Sequence, residues 1–284
     1  MKIVKRYSVM FGKKRENECL LKPYILYRTG ISMSDAAQII KKNIFTDDQR
    51  RTVEEIVRCG EDFVECYRKW LSFRNFEDCL NELAIKESRK NWNYRGFCEV
   101  CETESQFLVD YEYADYRDGI GTVPNWRERL VCPSCWCNNR MRFLIGKVKR
   151  EFRTGMKVCL YESDTPVYVR LKEWLPDIRV IGNSEANDEN VDLLISNDLL
   201  GKSIDYRGAF KDANRRLNKS GKLIFYVPFN ANSQKTIEGE NCVYGWDLLQ
   251  TLKECGFSDA YGVAYFGINE GYLGYLQLYF EAIK

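Results

Sequence analysis

The sequence predicts an α/β fold in which the second half forms an open, mostly parallel sheet with helices on both faces, preceded by a helical segment and a small cysteine-rich unit. Three observations carry this. From Met156 onward, short apolar runs alternate with amphipathic stretches of helical period. Two CxxC pairs, Cys98 with Cys101 and Cys132 with Cys135, stand thirty residues apart. The first ninety residues place apolar side chains at helical spacing. The expected division is 1–92 helical, 93–145 cysteine-rich and metal-binding, and 146–284 α/β.

In the first part, Ser34 or Asp35 can cap a helix reaching Lys42. Thr46, Asp47 and Asp48 would open a longer one, with Val53, Ile56, Val57, Phe63, Val64 and Tyr67 on its buried stripe. "FEDCLNELAIKES" repeats the pattern. Cys59, Cys66 and Cys79 fall within these stripes and read as small core hydrophobes. Lys2, Lys5, Arg6, Lys13, Lys14, Arg15 and Lys22 give the chain a basic start, read as a solvated face.

The middle part loses that period, as expected of a unit with little core of its own. The chain has twelve cysteines and no histidine, so a metal shell here must be all sulfur. Two turns that each present two thiolates can close a tetrahedral shell around Zn²⁺, and Cys98, Cys101, Cys132 and Cys135 are the expected ligands. With four protein ligands the ion has no open position, so its role is structural. Cys137 is a spare thiol that could replace Cys135. Arg129, Arg140 and Arg142 are expected to balance the negative charge of the sulfurs. Tyr94, Phe97, Trp126 and Trp136 among these arginines also leave a nucleic-acid module as an alternative, although packing is their more ordinary use.

In the last part, "MKVCLY" is a buried strand, and Asp164 or Thr165 can cap the helix that opens with Pro166. "IRVIG", "VDLLIS" and "KLIFYV" are further strands, with an amphipathic helix from Tyr206 to Leu217 before the last of them. "GWDLLQTLKECGF" is a helix with Gly256 just past its end. Two closing strands, near 260–266 and 275–283, would pair. Only the eight residues Asn183–Asn190 separate the second strand from "VDLLIS", and a helical crossover needs at least about 10–12. A parallel sheet binds ligands beyond its carboxyl edge where the strand order reverses. That rim would hold Glu162 to Thr165, Glu185, and Asn197 with Asp198.

From Phe97 to the end, "WRERLVCPSCWCNNRMR", "YESDTPVYVRLKEWLP", "VIGNSE", "VDLLISNDLL", "IDYRGAFKDANRRLNKSGKLIFYVPF" and "GWDLLQTLKECGFSDA", in that order, resemble class I S-adenosylmethionine-dependent methyltransferases. The resemblance is to bacterial members with a cysteine-rich zinc unit ahead of a Rossmann-like domain. It implies S-adenosylmethionine as cofactor, with Tyr161, Glu162, Ser163, Asp164 and Thr165 around its methionine end. Glu185 would hold the ribose hydroxyls, and Asn197 would complete the rim. Asp198 and Asp205 are the candidate catalytic acids where the family uses a base. Against the family pattern, the loop after "CLY" has no glycine-rich turn, and the short second crossover predicts that one strand is missing.

The acceptor implied is a small molecule or glycan precursor, and residues 1–92 are free to meet a protein partner. A catalytically inactive scaffold of the same fold is the alternative. At 45% hydrophobic and 30% charged, with a net charge of +2, the chain reads as globular, with no strong pull on nucleic acid. "MKIVKRYSVMFGKK" offers neither a signal peptide nor a membrane span, so a cytoplasmic location is expected, with the thiols reduced.

Overall fold

The computed structural model describes residues 31–86, 91–117, 121–181, 190–239, 242–274 and 277–284. The basic start of the chain and Glu185 lie outside these.

Helix α1, Met33–Ile44, is capped by Ser32, whose hydroxyl accepts from the Asp35 N–H. This is two residues earlier than the sequence suggested. The long helix expected after Thr46 does not form: a single 3₁₀ turn, Asp48–Arg50, leads into strand β1, Val53–Val57, and only then into α2, Gly60–Lys69. The reason is tertiary. Val53, Ile56 and Val57 are β-branched, and β1 closes an otherwise open sheet edge by pairing antiparallel with a strand 200 residues away. Helix α3, Leu71–Lys86, follows, and Trp70 and Phe73 pack on Phe266 of that same strand. The first part is therefore not purely helical, and it shares its core with the last.

The middle part is a three-stranded antiparallel sheet of β2, Trp92–Cys98, β3, Thr103–Val109, and β6, Leu130–Val131. A hairpin of β4, Asp115–Arg117, and β5, Gly121–Val123, and the single turn α4, Trp126–Arg129, intervene. Helix α5, Asn139–Glu151, leaves this unit and crosses to the main sheet. There its Phe143 stacks on Tyr265 at 3.7 Å and meets Tyr272 and Tyr279.

The main sheet then builds as β7, Val158–Leu160, α6, Pro166–Trp174, β8, Arg179–Val180, β9, Val191–Ser196, α7, Tyr206–Arg216, and β10, Leu217–Phe225. Helix α8, Asp247–Glu254, ends at Gly256, whose φ of +102° is the left-handed turn expected there. The closing strands β11, Asp259–Phe266, and β12, Leu278–Ile283, pair antiparallel. The strand order is β1-β11-β12-β10-β9-β7-β8, with β8, β7, β9 and β10 parallel and the other pairs antiparallel. Among the described residues no strand lies outside β8, as the short connection to β9 requires. Strands β7 and β9 are almost wholly buried, as a sheet covered on both faces demands. Among the described residues no helix is long and apolar enough to cross a membrane.

One buried charge makes a testable cost. Lys41 is 6% exposed, lies over the Tyr94 ring, and is brought down to about 8 by burial and by Arg50. Its folded value is below its unfolded one, so the folded state binds fewer protons between about pH 8 and 10.5, and the group's penalty is fully present below pH 8. Lys41→Met is expected to stabilise the protein by about 1–3 kcal/mol at pH 7 and by little above pH 10.5, read from urea unfolding at both values.

Candidate metal centre and crevice at the strand-order reversal

The two CxxC turns are built alike. In the first, the Glu102 N–H donates to the Cys98 carbonyl at 2.7 Å, and in the second the Trp136 N–H donates to the Cys132 carbonyl at 2.9 Å. Each residue after the second cysteine takes positive φ, 55° at Glu102 and 60° at Trp136. That twist folds each pair of sulfurs toward one point. The N–H groups of Cys101 and Cys135 also face the sulfurs of Cys98 and Cys132.

The four Sγ atoms all lie within 4.8 Å of one another. Cys98 and Cys135 are 3.8 Å apart and Cys101 and Cys132 3.9 Å, near the edge of about 3.8 Å that a tetrahedron with sulfur at about 2.3 Å requires. As thiols they share protons unequally. Cys98 and Cys135 are raised by hydrogen bonds to Cys132, which those bonds hold low, and burial pushes Cys101 up to about 12. A dication removes that conflict by favouring four thiolates. The donor set therefore fits Zn²⁺ or a similarly soft ion. Cys137 stands outside the set; its Sγ is 3.6 Å from the Cys135 carbonyl oxygen.

The arginines expected beside the sulfurs point elsewhere. Arg129 pairs with Asp110 at 2.6 Å, and Arg142 lies 3.8 Å over the Phe107 ring. Arg140 turns away to the main sheet. Arg170 of α6 comes in instead, donating to the Ser134 and Cys135 carbonyls at 3.3 and 3.4 Å. Spacing along one helix or loop suggested the wrong neighbours because the nearest cation arrives from a different element.

The second feature is the carboxyl edge of the parallel strands. The chain leaves β7 for β8 on one side and returns to β9 on the other, so the order reverses between β7 and β9. Tyr161 to Thr165 follow the first of these strands, and Asn197 with Asp198 follow the second.

Glu162 crosses this gap. Its Oε1 accepts from the Ser196 hydroxyl at 2.8 Å and from the Asp198 and Leu199 N–H groups at 3.0 and 2.7 Å, and its Oε2 from the Asn197 N–H at 3.0 Å. It is 9% exposed. Asp198 makes a two-point pair with Arg140 at 3.1 Å, and Arg140 also donates to the Asn197 carbonyl at 2.9 Å and to Glu128. Burial would lower the Arg140 guanidinium, but Glu128 and Asp198 hold it above its ordinary value. The Arg140 guanidinium lies 5.2 Å from the centre of the ring of Tyr226, just past the end of β10.

Thr165 is the N-cap of α6, accepting from the Tyr168 N–H. Asp205 is the N-cap of α7, accepting from the Gly208 N–H at 2.9 Å. Asp164 is exposed, and Ser163 and Tyr161 are half-buried. The Tyr161 hydroxyl is enclosed without a hydrogen-bond partner, and burial raises it. The fold thus joins Glu162 to Asn197 and Asp198, and sets Asp205 at a helix start. Arg140, Glu128, Ser196 and Tyr226 complete the group. The sequence placed none of them at this rim, because they come from four separate elements.

Neither a family model nor a curated protein matches the sequence. Solved structures similar to the chain include a candidate O-methyltransferase of Nostoc punctiforme, at 15% identity and a TM-score of 0.37 over 51% of this chain and 49% of that one. A SAM-dependent methyltransferase of Thermotoga maritima is similar at 18% identity and a TM-score of 0.35, over 51% of this chain and 91% of that one. A third is the complex of the Haloferax volcanii Trm112 methyltransferase activator with a candidate methyltransferase, at 10% identity and a TM-score of 0.34, over 51% of this chain and 78% of that one. The chain spans about half the length of the Nostoc protein.

Proposed function

We propose that the crevice between the ends of β7 and β9 binds S-adenosylmethionine, and that the protein transfers its methyl group to a small molecule or glycan precursor. One observation carries this reading. Of the residues that resemblance assigns to the cofactor, Glu162 and Asn197 are hydrogen-bonded to each other across the point where the strand order reverses, which supports it. Bound S-adenosylmethionine would supply an electrophilic methyl on a sulfonium, and displacement from it proceeds largely by positioning.

In this reading Glu162 is the clamp that shapes the wall, since its oxygens are taken by the Ser196–Leu199 turn. Ser163 and Asp164, half-buried and exposed, are the described loop residues that would meet the ligand. Asp198, oriented by Arg140, is the acid nearest the transfer. Asp205 serves as a cap. The cysteine set holds a structural Zn²⁺. The eleven described cysteines are free, which supports a reducing compartment such as the cytoplasm.

A second reading is favoured by the same hydrogen bonds: with Glu162 and Asp198 both spent on protein groups, the crevice could serve only as part of a binding scaffold. Calorimetric titration with S-adenosylmethionine and S-adenosylhomocysteine separates the two. Dissociation constants at or below about 100 μM are expected for at least one of them. No heat at millimolar ligand would remove the enzyme and leave the scaffold.

A further inference from the structure

We infer that the metal centre sets the shape of the crevice, with Arg140 and Arg170 as the positioning residues that connect them; the ligand-affinity part of this inference rests on the reading of the crevice given above. Both lips of the crevice are tied to the cysteine turns. The β7 lip runs through Thr165 into α6, and Arg170 of that helix holds the Ser134 and Cys135 carbonyls of the second turn. The β9 lip, Asn197 and Asp198, is held by Arg140, only five residues after Cys135 in the chain.

The first turn grips the other end of α5. Glu102, the residue whose positive φ closes that turn, pairs with Lys149 at 2.8 Å. Glu99, between the two cysteines, pairs with Arg150 at 2.9 Å and accepts from the Tyr272 hydroxyl at 2.6 Å. Helix α5 is therefore fastened at its start to the second turn and at its end to the first. The β2-β3-β6 sheet also joins the two turns, and an ion shared by both adds the link nearest these fastenings. When the turns separate, α5 and α6 lose a common reference, and with them the two lips.

The physical requirement is that the same elements contact both sites, and a coupling of this kind is commonly worth about five- to 150-fold in affinity. It should be reciprocal: metal tightens the ligand, and ligand tightens the metal. Arg170 is well suited to separating this from plain stability. Its side chain is 28% exposed, and its other partner is Glu173 on its own helix.

The experiment compares the metal-loaded full chain, the chelator-stripped chain, and metal-loaded Arg140→Met and Arg170→Met. It reads amide exchange at Asn197, Asp198 and Leu199, metal stoichiometry by mass spectrometry, and the S-adenosylhomocysteine dissociation constant. We expect those three amides to exchange roughly tenfold faster in the stripped chain and in both variants, with β10 and β12 still protected. The variants should keep one ion per chain and bind S-adenosylhomocysteine about tenfold more weakly. Unchanged exchange at 197–199 in stripped protein whose 98–102 segment has loosened would overturn the inference. If stripping unfolds the whole chain or Arg140→Met does not fold, Arg170→Met decides: wild-type exchange and affinity in that variant also overturn it. If S-adenosylhomocysteine binds no form, the crevice reading fails, and exchange alone judges the coupling.

Discussion

Stripping the metal is expected to lower the thermal midpoint by roughly 10–20 °C, the largest single effect available in this protein. The cysteine-rich unit has only a three-stranded sheet and a two-stranded hairpin, and its four clustered sulfurs come from two turns that no described disulfide joins. In isolated zinc modules such a site contributes about 10–16 kcal/mol of apparent binding energy. Losing about 6–12 kcal/mol of that gives a fall of this size in a chain of this length, whose unfolding entropy is about 0.6 kcal/mol/K. Cys132→Ser should reproduce the loss, because serine is a poor ligand for a soft site. Cys137→Ser should keep one ion per chain, since that sulfur is not among the four that lie within 4.8 Å of one another. Elemental analysis and X-ray absorption check both, with four sulfurs at about 2.3 Å expected in the wild type. A metal-free, fully stable wild type would remove the structural role.

Glu162→Ala is expected to cost about 3–5 kcal/mol. Its carboxylate satisfies a hydroxyl and three backbone N–H groups, and an unpaired buried donor costs about 1–3 kcal/mol before water can enter. Glu162→Gln should recover only part of this, because its amide nitrogen would stand against donors. Urea unfolding measures the loss, and amide exchange at 197–199 locates it. A change below about 1 kcal/mol would mean that the turn after β9 holds its shape without the clamp. The prediction also separates two roles that a sequence cannot tell apart: an acid that meets a ligand should cost affinity when removed, whereas this acid should cost stability as well.

Most of the parallel sheet was legible. Val191–Ser196 is apolar without alternation, so it could only be a strand buried on both faces, and the eight residues before it allowed no further helix and strand. Tyr206–Arg216 and Asp247–Glu254 showed their faces through period, and Gly256 marked an end through its left-handed turn. The first part misled for a definite reason. Val53, Ile56 and Val57 satisfy a helical period and a strand alike, and what chose between them was a free edge on β11, far away in the chain.

The pairing of sulfurs within each CxxC turn could be read from spacing because two residues between thiols is a local geometric condition, met within one turn whatever surrounds it. The same holds for the cap at Thr165, where a side chain reaches its own helix. The use made of Glu162, the partner of Asp198 and the cation beside the second turn needed the assembled fold. Each is a pairing between groups 34 to 58 residues apart, and a charge in a linear chain carries no mark of which distant donor burial will force it to satisfy.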